Sequence, residues 1–180
     1  ARTAYIHDAR KLSYNNRKEA ISREAIMNLA ERQKIEDICE DALISIDELA
    51  PRSPDKLVED IVRDGGQNVE SFKPTKISEL VVAIKLMQDE LNAISENIET
   101  ICDMVASPAE GDDGFVEDES QAVRSRRNSL THALARVIDF AKYNELTKNN
   151  NTLAMIVENI DVVFTSVDDL VKELHKAYER

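Results

Sequence analysis

The chain has 180 residues, of which 42% are hydrophobic and only 4% aromatic, with no Trp, four Gly and four Pro. That is enough length for one folded domain with an aliphatic core, and too little turn material for a fold of many short strands. A net charge of -12 at pH 7 argues against a protein that coats nucleic acid, and no apolar run approaches the length of a membrane span.

The N-terminal stretch holds Arg2, Arg10, Lys11, Arg17 and Lys18 against Asp8 alone. Such a basic arm reads as a solvated helix end, or as a contact for an acidic protein surface, lipid or RNA. The opening residues carry charge throughout, unlike a signal peptide. Cys39 and Cys102 each fall on or beside an apolar helical stripe, where free thiols act as small hydrophobes. A reducing, cytoplasmic setting is therefore expected.

A first long helix is predicted from about Ser13 to Leu49. Its second half places Ile35, Cys39, Ala42, Ile46 and Leu49 at heptad spacing, its seam drifts near Arg32 and Gln33, and Pro51 stops it. A short helix follows, capped by Ser53, opened by Pro54 and ended by Gly65 and Gly66, with Leu57, Val58, Ile61 and Val62 as its one apolar stripe.

The third helix, with Thr75 as its expected N-cap, carries Ile77, Leu80, Ile84, Met87, Leu91, Ile94, Ile98, Ile101 and Val105 on a strict three-four alternation. That spacing keeps one seam turned toward partner helices over many turns. Val81, Val82, Leu86 and Cys102 widen the stripe beyond the seam, which marks Val81, Val82 and Leu86 as candidates for an interaction surface.

Residues 109–119 crowd Glu110, Asp112, Asp113, Glu117, Asp118 and Glu119 around Gly111 and Gly114, a composition that predicts a flexible acidic loop. Arg124, Arg126 and Arg127 come next and are expected to neutralise it. The run Arg126-Arg127-Asn128-Ser129-Leu130 has the form that basophilic kinases prefer. A phosphate on Ser129 would add about two negative charges at what reads as a loop–helix junction, a place where charge can order or melt a helical turn.

The fourth helix is expected to use Val123, Leu130, Leu134, Val137 and Ala141 as its seam and to break at Asn149, Asn150 and Asn151. A closing ladder of Leu153, Ile156, Ile160, Val163, Val167, Leu170 and Leu174 runs to about Tyr178. The fold class that follows is all-α: an elongated antiparallel up-down bundle of four long helices plus one short helix. It occupies residues 1–180 as a single domain or as a module of a longer chain.

Catalytic signatures are missing from the sequence. A di-metal bundle needs Glu three residues before each ligating His, and none of His7, His132 and His175 has it. Glu36, Asp37, Glu40 and Asp41 flank seam positions and read as a solvated face. No phosphate-cradling Gly-rich loop, Cys-x-x-Cys pair or nucleophile elbow occurs, so no catalytic residue, cofactor or metal is expected.

The segment His132-Ala133-Leu134-Ala135-Arg136 resembles the His-x-Leu-Lys-Gly run of histidine phosphotransfer domains, with Ala135 and Arg136 in place of Lys and Gly. That resemblance implies His132 as a phosphate-accepting side chain. Ser78-Glu79-Leu80-Val81-Val82-Ala83-Ile84 and Ala133-Leu134-Ala135-Arg136-Val137-Ile138 are similar to helices of vinculin, α-catenin, talin-rod and focal-adhesion targeting bundles, which implies a cytoskeletal or adhesion role. The residues themselves favour a non-enzymatic interaction module, a scaffold, adaptor or assembly subunit that offers helical faces to a protein partner or to a second copy.

Overall fold

The computed structural model describes residues 28–107 and 112–178. Among the described residues there are five α-helices: α1 (Leu29–Asp47), α2 (Pro54–Asp64), α3 (Pro74–Ala106), α4 (Asp112–Tyr143) and α5 (Asn151–Tyr178). The basic arm and the first half of the predicted Ser13–Leu49 helix lie outside the described residues.

α3 packs on α1 and α4, and α5 closes the circuit by packing on both of them. Cross-helix pairs give the directions. Asn97 meets Glu119 and Arg126 meets Glu90, so α3 and α4 are antiparallel. Arg127 meets Asp168 while Glu117 lies near His175, so α4 and α5 are antiparallel as well. The result is an antiparallel helical bundle of four long helices, with α3 alone about 50 Å long at 1.5 Å per residue.

Both ladders fill the core as their spacing predicts. Leu80, Ile84, Met87, Leu91, Ile94, Ile98, Ile101 and Val105 are buried on α3, and Ile77 is half-buried at its start. All seven positions of the α5 ladder are buried too. α1 contributes Ile35, Cys39, Ala42 and Ile46, with the fully buried Arg32 on the same stripe.

Two expectations about α3 and α4 need correction. Lys73, not Thr75, occupies the N-cap of α3, with Pro74 as the first helical residue; no side chain caps the turn. More consequentially, residues 112–119 of the expected acidic loop are the first turns of α4. Val116 is 3% exposed and Ser120 1%, and with Val123 they extend the α4 seam toward the N-terminus. Asn97 Nδ2 also donates to Glu119 Oε2 at 2.7 Å. Burial of that face outweighs the like-charge repulsion that composition alone suggested, because Asp118 is exposed, Glu117 is only half-buried and Glu119 has Asn97 as a partner. Residues 108–111 lie outside the described residues.

α2 covers one end of the bundle against α3 and α5. Gly66, at φ +84°, takes the left-handed position after α2, while Gln67 N–H bonds back to Val62 and Gly66 N–H to Arg63. Gly65 is needed for a different reason: a Cβ there would lie 2.6 Å from Leu146 Cδ2. α4 ends in the same kind of turn, with Glu145 at φ +58° and Leu146 N–H reaching Ala141.

Asn150 joins these two chain reversals. Its Nδ2 donates to the carbonyls of Ile61 and Leu146, both at 2.8 Å, and its Oδ1 caps α5 by accepting from Leu153 N–H at 3.1 Å. Asp64 Oδ2 reinforces the junction, accepting from Thr152 N–H at 3.0 Å and Thr152 Oγ1 at 2.6 Å. These bonds, with Arg63 nearby, hold the Asp64 carboxyl below its usual range. Its contribution to stability is therefore whole above the unfolded-chain value and is lost as pH falls through the lower folded-state value. Unfolding curves of wild type and Asp64→Asn should accordingly converge below about pH 4 and separate above it. A gap that stays constant with pH would show that the carboxylate charge has no part in the junction.

Candidate functional site

A groove of about 930 Å³ lies between the start of α3 and the end of α4. Pro74, Ser78, Val82 and Ala83 form its α3 side; Arg136, Phe140 and Tyr143 form its α4 side. Ala83 lies on the floor at 8% exposed, while Val82 at 54% and Tyr143 at 81% stand on the rims. Leu86, one turn beyond Val82, is exposed as well.

One end of the groove is pinned. Lys76 Nζ donates to Asn144 Oδ1 at 3.0 Å and sits 5.2 Å from the centre of the Tyr143 ring, a cation–π placement. Asn144 Nδ2 donates to the Phe140 carbonyl at 2.9 Å, and Gln67 Nε2 donates to the Asn144 carbonyl at 3.3 Å. The mouth therefore keeps its shape although its two walls come from distant parts of the chain.

Of the three apolar residues singled out on α3, Val82 lines the groove and Leu86 continues its rim. Val81 is half-buried and packs on the core instead. The sequence reading missed the opposite wall. Arg136, Phe140 and Tyr143 stand at i, i+4 and i+7, a second stripe of α4 displaced from its core seam.

Ser129 is half-buried in the interior of α4, not at a loop–helix junction. The neighbouring arginines do not neutralise a loop. Arg126 Nη1 lies 3.8 Å from Glu90 of α3. Arg127 Nη2 donates to Asp168 of α5 at 3.0 Å, with its guanidinium 4.5 Å from the centre of the Phe164 ring. Both tie α4 to neighbouring helices, and a kinase would have to open α4 locally to take Ser129 as an extended substrate. His132 is exposed on α4, as its position relative to the seam implied.

Two smaller hollows lie elsewhere on the bundle. One, about 320 Å³, sets Asp41, Asp161 and Asp169 around Ile38 and Val162. The other, about 480 Å³, holds Arg124, Lys172, His175 and Lys176 with Asp168. Among the described residues no group of His, Cys, Asp and Glu is arranged to hold a metal ion, and no helix is long and apolar enough to cross a membrane.

Comparison with known protein families, curated proteins and solved structures gives no match. The likeness to vinculin-type bundles thus rests on the two heptad segments alone, and the chemistry of the groove carries the functional argument.

Proposed function

We propose that this chain is a non-enzymatic interaction module that seats an amphipathic helix of a partner protein in the groove between α3 and α4. The observation behind this reading is that the core seams are complete while an apolar furrow stays open beside them. Two antiparallel helices with a furrow along their shared side offer the packing surface that a further helix uses, with apolar anchors at i, i+3 or i+4, and i+7. Val82, Ala83 and Phe140 would receive the anchors. Arg136, Asp139 and Glu79 line the same groove and would select polar flanks of matching charge.

Val82 and Leu86 are exposed, so charge placed there separates binding from folding. The double variant Val82→Asp, Leu86→Lys should stay within about 0.5 kcal/mol of wild type in stability, as exposed substitutions usually do. Partner affinity should fall by at least about tenfold, since one charged group in an apolar contact costs more than 1.4 kcal/mol. Isothermal calorimetry with the partner helix reads the affinity, and light scattering over a concentration series distinguishes a foreign helix from a second copy. Unchanged affinity in a folded variant would remove the groove from the account.

A further inference from the structure

Two thiols away from the groove meet in the core. Cys39 lies in the middle of the buried stripe of α1 and is 1% exposed; Cys102 stands toward the end of α3, partly open to solvent. Both are free. The register of the two helices brings them together. Gln88 Nε2 donates to the carbonyls of Leu49 at 3.1 Å and Arg52 at 2.8 Å, which pins the turn just after α1 beside the middle of α3. Ten residues back from Leu49 and fourteen on from Gln88, in helices running opposite ways, Cys39 and Cys102 reach the same level to within about one turn. At that level the Cys102 thiol is the neighbour that acts most strongly on Cys39, ahead of burial.

We propose that Cys39 and Cys102 are a two-thiol oxidation site, which hydrogen peroxide converts to an intramolecular disulfide fastening α1 to α3. Cys102 reacts first because solvent reaches it. Its thiolate attacks one peroxide oxygen, the O–O bond breaks, and the departing hydroxide takes a proton to leave as water; Cys102 becomes a sulfenic acid. Cys39 then attacks that sulfur. Its proton and the sulfenic hydroxyl leave together as a second water, and the S–S bond forms. Two thiols give up two electrons and one peroxide is reduced to two waters.

The order of events suits the surroundings of Cys39. Its hydrogen bond to Cys102, then burial, then the negative charges of Cys102 and Glu36 raise it well above the ordinary thiol range. Cys39 therefore stays protonated and inert while Cys102 is reduced. Once Cys102 is a sulfenic acid, Cys39 is the chain's one other thiol and stands beside it. The site stands about five turns along α3 from the floor of the groove, so it rests on none of the residues proposed for partner binding.

The test uses the full chain treated with one equivalent of hydrogen peroxide, blocked with an alkylating agent and digested without reductant for mass spectrometry. The expected product is a peptide pair joined through Cys39 and Cys102 in protein that keeps single-chain mobility on a denaturing gel, reverts with dithiothreitol and unfolds at higher temperature than the reduced form. With dimedone present, Cys39→Ala should accumulate the adduct on Cys102, and Cys102→Ala should give none on Cys39. The wild-type digest decides the matter even if a variant fails to fold. Sulfenic or sulfinic acid on Cys102 without the joined peptide, links only between chains, or no oxidation of either cysteine would overturn the proposal.

Discussion

Replacing Leu91 by alanine should lower the stability of the chain by about 2–5 kcal/mol, the range for removing a large aliphatic side chain from a packed core. Leu91 is fully buried at the middle of α3, the helix that packs on α1, α2 and α4. Several neighbours therefore lose contacts, and rigid helical backbones on each side leave little freedom to collapse into the space. Urea unfolding followed by circular dichroism measures the loss as a shift of midpoint at unchanged slope. A loss below about 0.5 kcal/mol, the usual effect of a surface change, would mean that this ladder does not form the core.

The second large effect is expected at a polar residue. Asn150→Ala should cost about 2–4 kcal/mol, because it removes a helix cap and takes a donor from the Leu146 carbonyl and from the Ile61 carbonyl, which keeps Gly65 N–H. Asn150 is 5% exposed, and its side chain ties together α2, the turn after α4 and the start of α5. Asn150→Ser keeps an acceptor for the cap but loses both donors, so its loss should fall between wild type and alanine. Equal stability of all three proteins would mean that water satisfies the junction as well as asparagine does.

These two residues mark how far the sequence could be read. Leu91 belongs to a ladder whose period repeats for nine positions, and a helix that long has one geometric answer. Asn150 sits in a run of three asparagines that signals only a break. Its partner on α2, Ile61, lies 89 positions away, and no local pattern announces a bond of that separation. The same difficulty explains the arginines. Arg126 and Arg127 read naturally against the acidic run before them, yet their partners Glu90 and Asp168 stand on other helices.

The start of α4 failed for a different reason. Gly111, Gly114 and the clustered carboxylates dominate composition, whereas the signal for helix was a sparse one: Val116, Ser120 and Val123 at i, i+4 and i+7. A small polar residue such as Ser120 holds a seam position where two helices approach closely, so a search for aliphatic residues passes over it. Half of the groove was visible as the surplus apolar stripe of α3. The other half required knowing that the end of α4 lies beside the start of α3, which follows from the antiparallel fold.

The most direct measurement is site-specific photocross-linking from the groove. Benzoylphenylalanine replaces Val82 in one protein and the exposed Lys172 on α5 in a control, each expressed in the cell of origin and irradiated. The expected result is an adduct at position 82 with a single partner, attached through an amphipathic helical segment, weakened by Phe140→Ala and absent from the control. Equal adduct patterns at both positions, adducts only with a second copy of the chain, or none at position 82 would contradict it.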